Sequence, residues 1–89
     1  MELQIDPHAL QRAEERGASL DELSDVLATG STTSAKHGRF AKEKIFPFHA
    51  WRLEKYYDEK LIRLVYTVEK GISVAVTVYV FYGSWKEGK

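Results

Sequence analysis

From Ile72 to Tyr82 the chain reads ISVAVTVYVFY, and this run constrains the fold more than any other segment. Under the two-residue period of a strand, Val74, Val76, Val78 and Val80 fall on one side, and Ala75, Thr77, Tyr79 and Phe81 on the other. A strand apolar on both sides belongs inside a sheet rather than at its edge. Lys70-Gly71 immediately before it reads as a hairpin turn, since glycine supplies positive φ without steric cost. The partner strand is then Leu61 to Val68. Further back, Asp58-Glu59 reads as a turn, Ala50 to Tyr57 as a second strand, and Arg39 to Phe46 as a short edge strand that stops at Pro47.

The first thirty residues carry a different signal. Asp6-Pro7 starts a helix, because aspartate caps free N–H groups and proline has a φ suited to the first turn, and Gly17 stops it. Ser19-Leu20-Asp21-Glu22 is a capping box opening a second helix that runs to about Thr29, with Gly30 after it. Leu20, Leu23, Val26 and Leu27 form its buried stripe. Ser31 to Ser34 is a polar connector to the sheet. The order α-α-β-β-β-β predicts an α+β fold, an N-terminal αα-hairpin packed on one face of a four-stranded antiparallel β-meander. Residues 1–89 form one domain, with the hairpin at about 6–30 and the sheet at about 38–82. Helices on one face leave Tyr66, Thr77, Tyr79 and Phe81 on the other, poorly suited to water. A concave binding surface or a dimer interface accounts for them.

Net charge is zero, but it is segregated: residues 1–30 balance to −5, residues 31–64 to +4 and residues 65–89 to +1. Lys36, His37, Arg39, Lys42 and Lys44 are the densest basic group. They read either as a local basic face or as a solvated strand edge whose lysines discourage aggregation. The absence of cysteine excludes a disulfide framework, a thiolate metal site and a cysteine nucleophile. The N-terminus lacks the pattern of a signal peptide, and no apolar run approaches a membrane span, so the expected setting is the cytoplasm.

The first helix holds the candidate chemistry. His8, Arg12 and Arg16, spaced four apart, rise in one row, while Ala9, Leu10 and Ala13 form the apolar stripe. The three histidines lie in separate segments without HxH or HExxH spacing, so no metal site is expected. There is no phosphate loop and no serine elbow, and no cofactor is implied. What survives is metal-free acid/base chemistry by His, Tyr, Arg and Lys. Cleavage of RNA without metal has those needs: a proton leaves the 2′-hydroxyl, the phosphorane is neutralised, and the departing 5′-oxygen gains a proton. His8 fits the acid or base, Arg12 and Arg16 fit the phosphate, and Tyr79 fits proton donation or stacking on a base. Each has a plainer reading. His8 serves equally as an exposed polar residue, the arginines as partners of acids such as Glu15, and Thr77 and Tyr79 as strand formers.

The run HAxxRxxxR at His8 to Arg16 with Gly17 after it, the second helix closing at Gly30, and the strand Val76-Thr77-Val78-Tyr79 together resemble a bacterial domain-of-unknown-function family. That family is placed with the barnase–EndoU–colicin–RelE superfamily of small RNase toxins. The resemblance covers about residues 5–82. It implies a RelE-like toxin, a metal-independent endoribonuclease held in check by an antitoxin, with its active surface between the first helix and the strands. His8, Arg12 and Tyr79 are the catalytic candidates, and Arg16, Thr77, Arg39 and Lys44 are candidates for binding substrate. The neutral charge and the sparse C-terminal basic residues, Lys86 and Lys89, depart from a typical toxin. The alternative is a non-catalytic module that binds a protein or dimerises through the aromatic sheet face.

Overall fold

A computed structural model of the chain describes residues 2–85; Lys86 and Lys89 lie outside the described residues. Two helices cover one face of a five-stranded mixed sheet. The elements are β1 (Leu3–Gln4), α1 (Pro7–Arg16), α2 (Leu20–Thr29), β2 (Ser31–Thr33), β3 (Phe40–Arg52), β4 (Lys55–Glu69) and β5 (Ile72–Gly83). Their order across the sheet is β1-β5-β4-β3-β2.

The helix ends follow their capping chemistry. Asp6 Oδ1 accepts from the His8 N–H at 2.7 Å. At the far end Gly17 takes φ +107°, letting the Gly17 and Ala18 N–H groups bond Glu14 and Ala13 carbonyls. Ser19 and Glu22 complete the expected capping box at 3.2 and 3.0 Å. Gly30 is required by close approach: a Cβ there would stand 2.5 Å from the Val26 carbonyl oxygen and 2.8 Å from that of Glu43.

The expected four-stranded antiparallel meander becomes five strands because two short segments add edges. Ser31 to Thr33, expected as a connector, pairs with β3, and Leu3-Gln4 adds a parallel strand beside Ser73 and Val74 of β5. The expected αα-hairpin is also looser than a self-packed pair. The sheet holds the helices, α1 against β5 and α2 against β3 and β4.

The turns after Pro47 also move. β3 runs through Pro47, where the pairing with β4 shifts between Pro47 and Ala50, and continues to Arg52. This part of β3 lies beyond the reach of β2 and is an edge of the sheet, where proline is tolerated. The hairpin turns at Leu53-Glu54, both at positive φ (51° and 71°), and Asp58-Glu59 lies within β4. Lys70-Gly71 is the other hairpin turn, as expected, at φ 54° and 80°.

Ala13, Ala18, Leu23, Val26, Leu27, Ile62, Leu64, Tyr66 and Val78 form the core between helices and sheet. Tyr66 therefore belongs to the covered face with Leu64, not to the open face expected for it. Lys60 is buried among these groups, donating to the Gly17 carbonyl at 2.6 Å and to Glu22 at 3.0 Å. It fastens the junction of the two helices to the centre of the sheet. Burial works against ionisation of Glu22, yet the Ser19 N–H and the Lys60 ammonium together hold its carboxyl below the ordinary value of 4.5.

Candidate functional site

α1 lies along β5 and leaves a groove of about 390 Å3 between them. One wall carries His8, Arg12 and Arg16, with Ala9 and Ala13 between them; the other is the stretch Ala75 to Val78 of β5. The local causes are simple. The four-residue spacing stacks the three basic side chains on one side of α1, and the alanines in the same turns are too small to fill the space beside β5. The groove is open because β1 pairs only with Ser73 and Val74, so from Ala75 onward no strand covers the outer edge of β5.

That edge is irregular where it meets α1. Pairing with β4 passes from Val65↔Thr77 to Tyr66↔Ala75, which leaves Val76 as an extra residue. Such a bulge bends a strand and re-aims its side chains, and bulges recur beside active sites. Arg16 spans the groove, its Nη1 donating to the Val78 carbonyl at 2.8 Å. His8 and Arg12 are exposed and their side chains make no hydrogen bond or ion pair among the described residues. Asp6 stands at one end of the groove and supplies its only carboxylate lining among the described residues.

Of the residues singled out from sequence, His8, Arg12, Arg16 and Thr77 come together here. Tyr79 does not. Val78 is buried in the core beneath the helices, and the next residue in an extended strand points the opposite way. Tyr79 accordingly lies on the uncovered face, opposite Arg63 in register and stacked on Phe81 with ring centroids 6.3 Å apart. Arg63 thus shares the side of Tyr79. It lies over the Phe81 ring at 5.4 Å and pairs with Glu43 at 2.8 Å.

Arg39 and Lys44 are also separate from the groove. Arg39 adjoins and Lys44 lies in β3, and β4 stands between β3 and β5. The Lys44 ammonium is held by Asp25 and Thr29 Oγ1, both at 2.8 Å, and keeps the Asp25 carboxyl below its ordinary range with help from Thr29. Lys42 donates to the Leu27 carbonyl at 2.9 Å. The basic group of the sequence is therefore partly spent on holding α2.

Beyond Arg16 the sequence reasoning missed a second set of side chains. Tyr82 donates to the Arg16 carbonyl at 2.6 Å, and Arg52 lies over its ring at 4.8 Å while bonding the Glu15 carbonyl at 3.2 Å. Burial pushes the Tyr82 hydroxyl above its ordinary value, with a smaller opposing influence from Arg52. Tyr57 packs against Tyr82 at 5.5 Å with Lys55 over its own ring at 5.6 Å. The run Lys55-Tyr56-Tyr57 was the available signal.

Among the described residues no cluster of histidine and carboxylate groups is placed to hold a metal ion, and no helix is long and apolar enough to cross a membrane. Comparison with family models, with curated proteins and with solved structures found no match.

Proposed function

We propose that the chain is a toxin-type, metal-independent endoribonuclease of bacterial, RelE-like character, acting on RNA in the cytoplasm and restrained by an antitoxin protein. One observation carries the reading: His8, Arg12 and Arg16 line a single open groove against a bulged strand. Arg12 offers its guanidinium to the scissile phosphate, where paired N–H donors match the phosphate oxygens and offset the charge that builds in the phosphorane. Arg16, anchored on the Val78 carbonyl, presents a second cation at fixed position. The Asp6 carboxylate disfavours an anion at its end of the groove, so the phosphate sits toward the arginines. With Tyr79 on the other face, proton transfer falls to His8, acting first as base toward the 2′-hydroxyl and then as acid toward the leaving 5′-oxygen.

The test is cleavage of RNA in EDTA by purified protein. A 2′,3′-cyclic phosphate product is expected, with loss of about 100-fold or more in rate for His8→Ala and for Arg12→Ala. Tyr79→Phe is expected to cleave as the parent does. RNA left intact at high protein concentration, together with unimpaired growth on expression, overturns the reading.

A second reading is favoured by the uncovered sheet face, where Ile45, Tyr79 and Phe81 are each more than two-fifths exposed. A protein-binding or dimerising module would use this surface. Sedimentation separates the cases: a monomer at all concentrations whose behaviour is unchanged by Phe81→Ser excludes self-association there.

A further inference from the structure

At the C-terminal end of β5 lies a second cavity, of about 290 Å3, lined by Lys55, Tyr56, Tyr57, Asp58 and Tyr82. It follows the groove along the same strand. The groove meets β5 at Ala75 to Val78, and the cavity begins at Tyr82, four residues or about 13 Å further on. Arg16 links the two, because its side chain lines the groove and its carbonyl accepts from Tyr82.

Resting on the nuclease reading, we propose that this cavity is a nucleobase-stacking subsite that holds a base flanking the cleaved phosphate. Its walls favour a base over a phosphate. Tyr56 and Tyr57 both line it, Tyr57 packed against Tyr82 at 5.5 Å and Tyr56 nearly half exposed with Trp51 edge-on at 6.0 Å. Rings stack on any base, because every base has a π-face. Asp58 in the wall repels a phosphate but can accept from the N–H groups of a base edge. Lys55 and Arg52 are already engaged with tyrosine rings, which stiffens those rings as platforms and leaves positive charge for the connecting backbone. Tyr82 is fixed by its hydroxyl bond, so the floor of the cavity is set before anything binds.

The test uses a fluorescein-labelled 2′-O-methyl hexanucleotide, which cannot be cleaved, and reads binding by anisotropy at low salt with the full chain. Tyr57→Ala should weaken binding about tenfold, as expected for one lost base stack, and Tyr57→Phe should restore it. Hexanucleotides carrying a single abasic residue, scanned along the sequence on the parent protein, should lose a similar factor at one position. That oligonucleotide should then be indifferent to Tyr57→Ala. Equal binding by parent and Tyr57→Ala, with no sensitive abasic position, overturns the subsite; if Arg12→Ala still weakens binding, the groove reading stands. Failure of the parent to bind any oligonucleotide overturns both.

Discussion

The lysines of the sheet and the basic row of α1 are alike in charge and opposite in circumstance. Lys42, Lys44 and Lys60 reach from β3 and β4 toward the helices and end on named acceptors: the Leu27 carbonyl, Asp25 with Thr29, and the Gly17 carbonyl with Glu22. His8 and Arg12 face an open groove, and of that row only the Arg16 side chain makes a hydrogen bond among the described residues. A cation with a complete set of internal partners belongs to the fold; one aimed into a groove without them is free for a ligand. Counting basic residues along the sequence does not separate the two groups, since Lys36 to Lys44 is the denser cluster and yet part of it is consumed internally.

The largest expected consequence of this difference is in stability. Lys60→Ala strips two acceptors at the helix junction and leaves Glu22 without its counter-ion, so it should cost about 2–4 kcal/mol in urea or thermal unfolding. Arg12→Ala should stay within about 0.5 kcal/mol of the parent, as surface substitutions do, while abolishing any RNA cleavage. Equal losses for the two variants would break the distinction between structural and available cations.

Acid titration sharpens the same contrast. Because the folded Glu22 carboxyl titrates below its ordinary 4.5, its contribution is fully present above that pH. It is lost as pH falls through the folded value. The thermal midpoint of the parent should therefore drop more steeply below about pH 4.5 than that of Glu22→Gln, which has no charge to lose there.

How much of this was readable in advance depended on whether the signal was local. Asp6-Pro7, Gly17 and the Ser19-Glu22 box are short-range chemistry, and the helices begin and end where they predict. Lys70-Gly71 announced its turn for the same reason. Leu53-Glu54 did not, because neither residue favours the positive φ both adopt, at a cost of about 1–2 kcal/mol each, and long pairing on both sides imposes the turn. The site divided along the same line. The row on α1 follows from helical spacing, and its company with β5 follows from the packing of α1 along that strand, a long-range contact that no local pattern encodes. Tyr79 was grouped with the row by chemistry, although alternation already set it opposite Val78 on the face the helices leave open, and the packing of Val78 under the helices keeps the two apart.

A smaller effect is expected at Tyr82, which ties the end of the basic row to β5 through a single neutral hydrogen bond. Tyr82→Phe keeps the ring and removes the bond, so it should cost about 1 kcal/mol. If the bond also positions Arg16, RNA binding should weaken more than stability alone explains. An unchanged affinity would assign the tyrosine to packing.

The smallest effect on stability should come from Lys44, whose partner Asp25 faces solvent, and its interest lies in what it says about availability. Lys44→Met removes the ammonium that bonds Asp25 and keeps the aliphatic stem in place. The Asp25 carboxyl, released from the lysine, should then titrate higher, toward its ordinary range, with Thr29 alone left to lower it. Carboxyl-detected NMR titration reads this directly even where the unfolding midpoint does not move. A carboxyl that titrates identically in both proteins would mean that the ammonium does not rest on Asp25 in solution. Lys44 would then join Arg39 as a cation open to RNA on the β3 side of the sheet, and the contrast between the two groups would hold for Lys60 and Lys42 only.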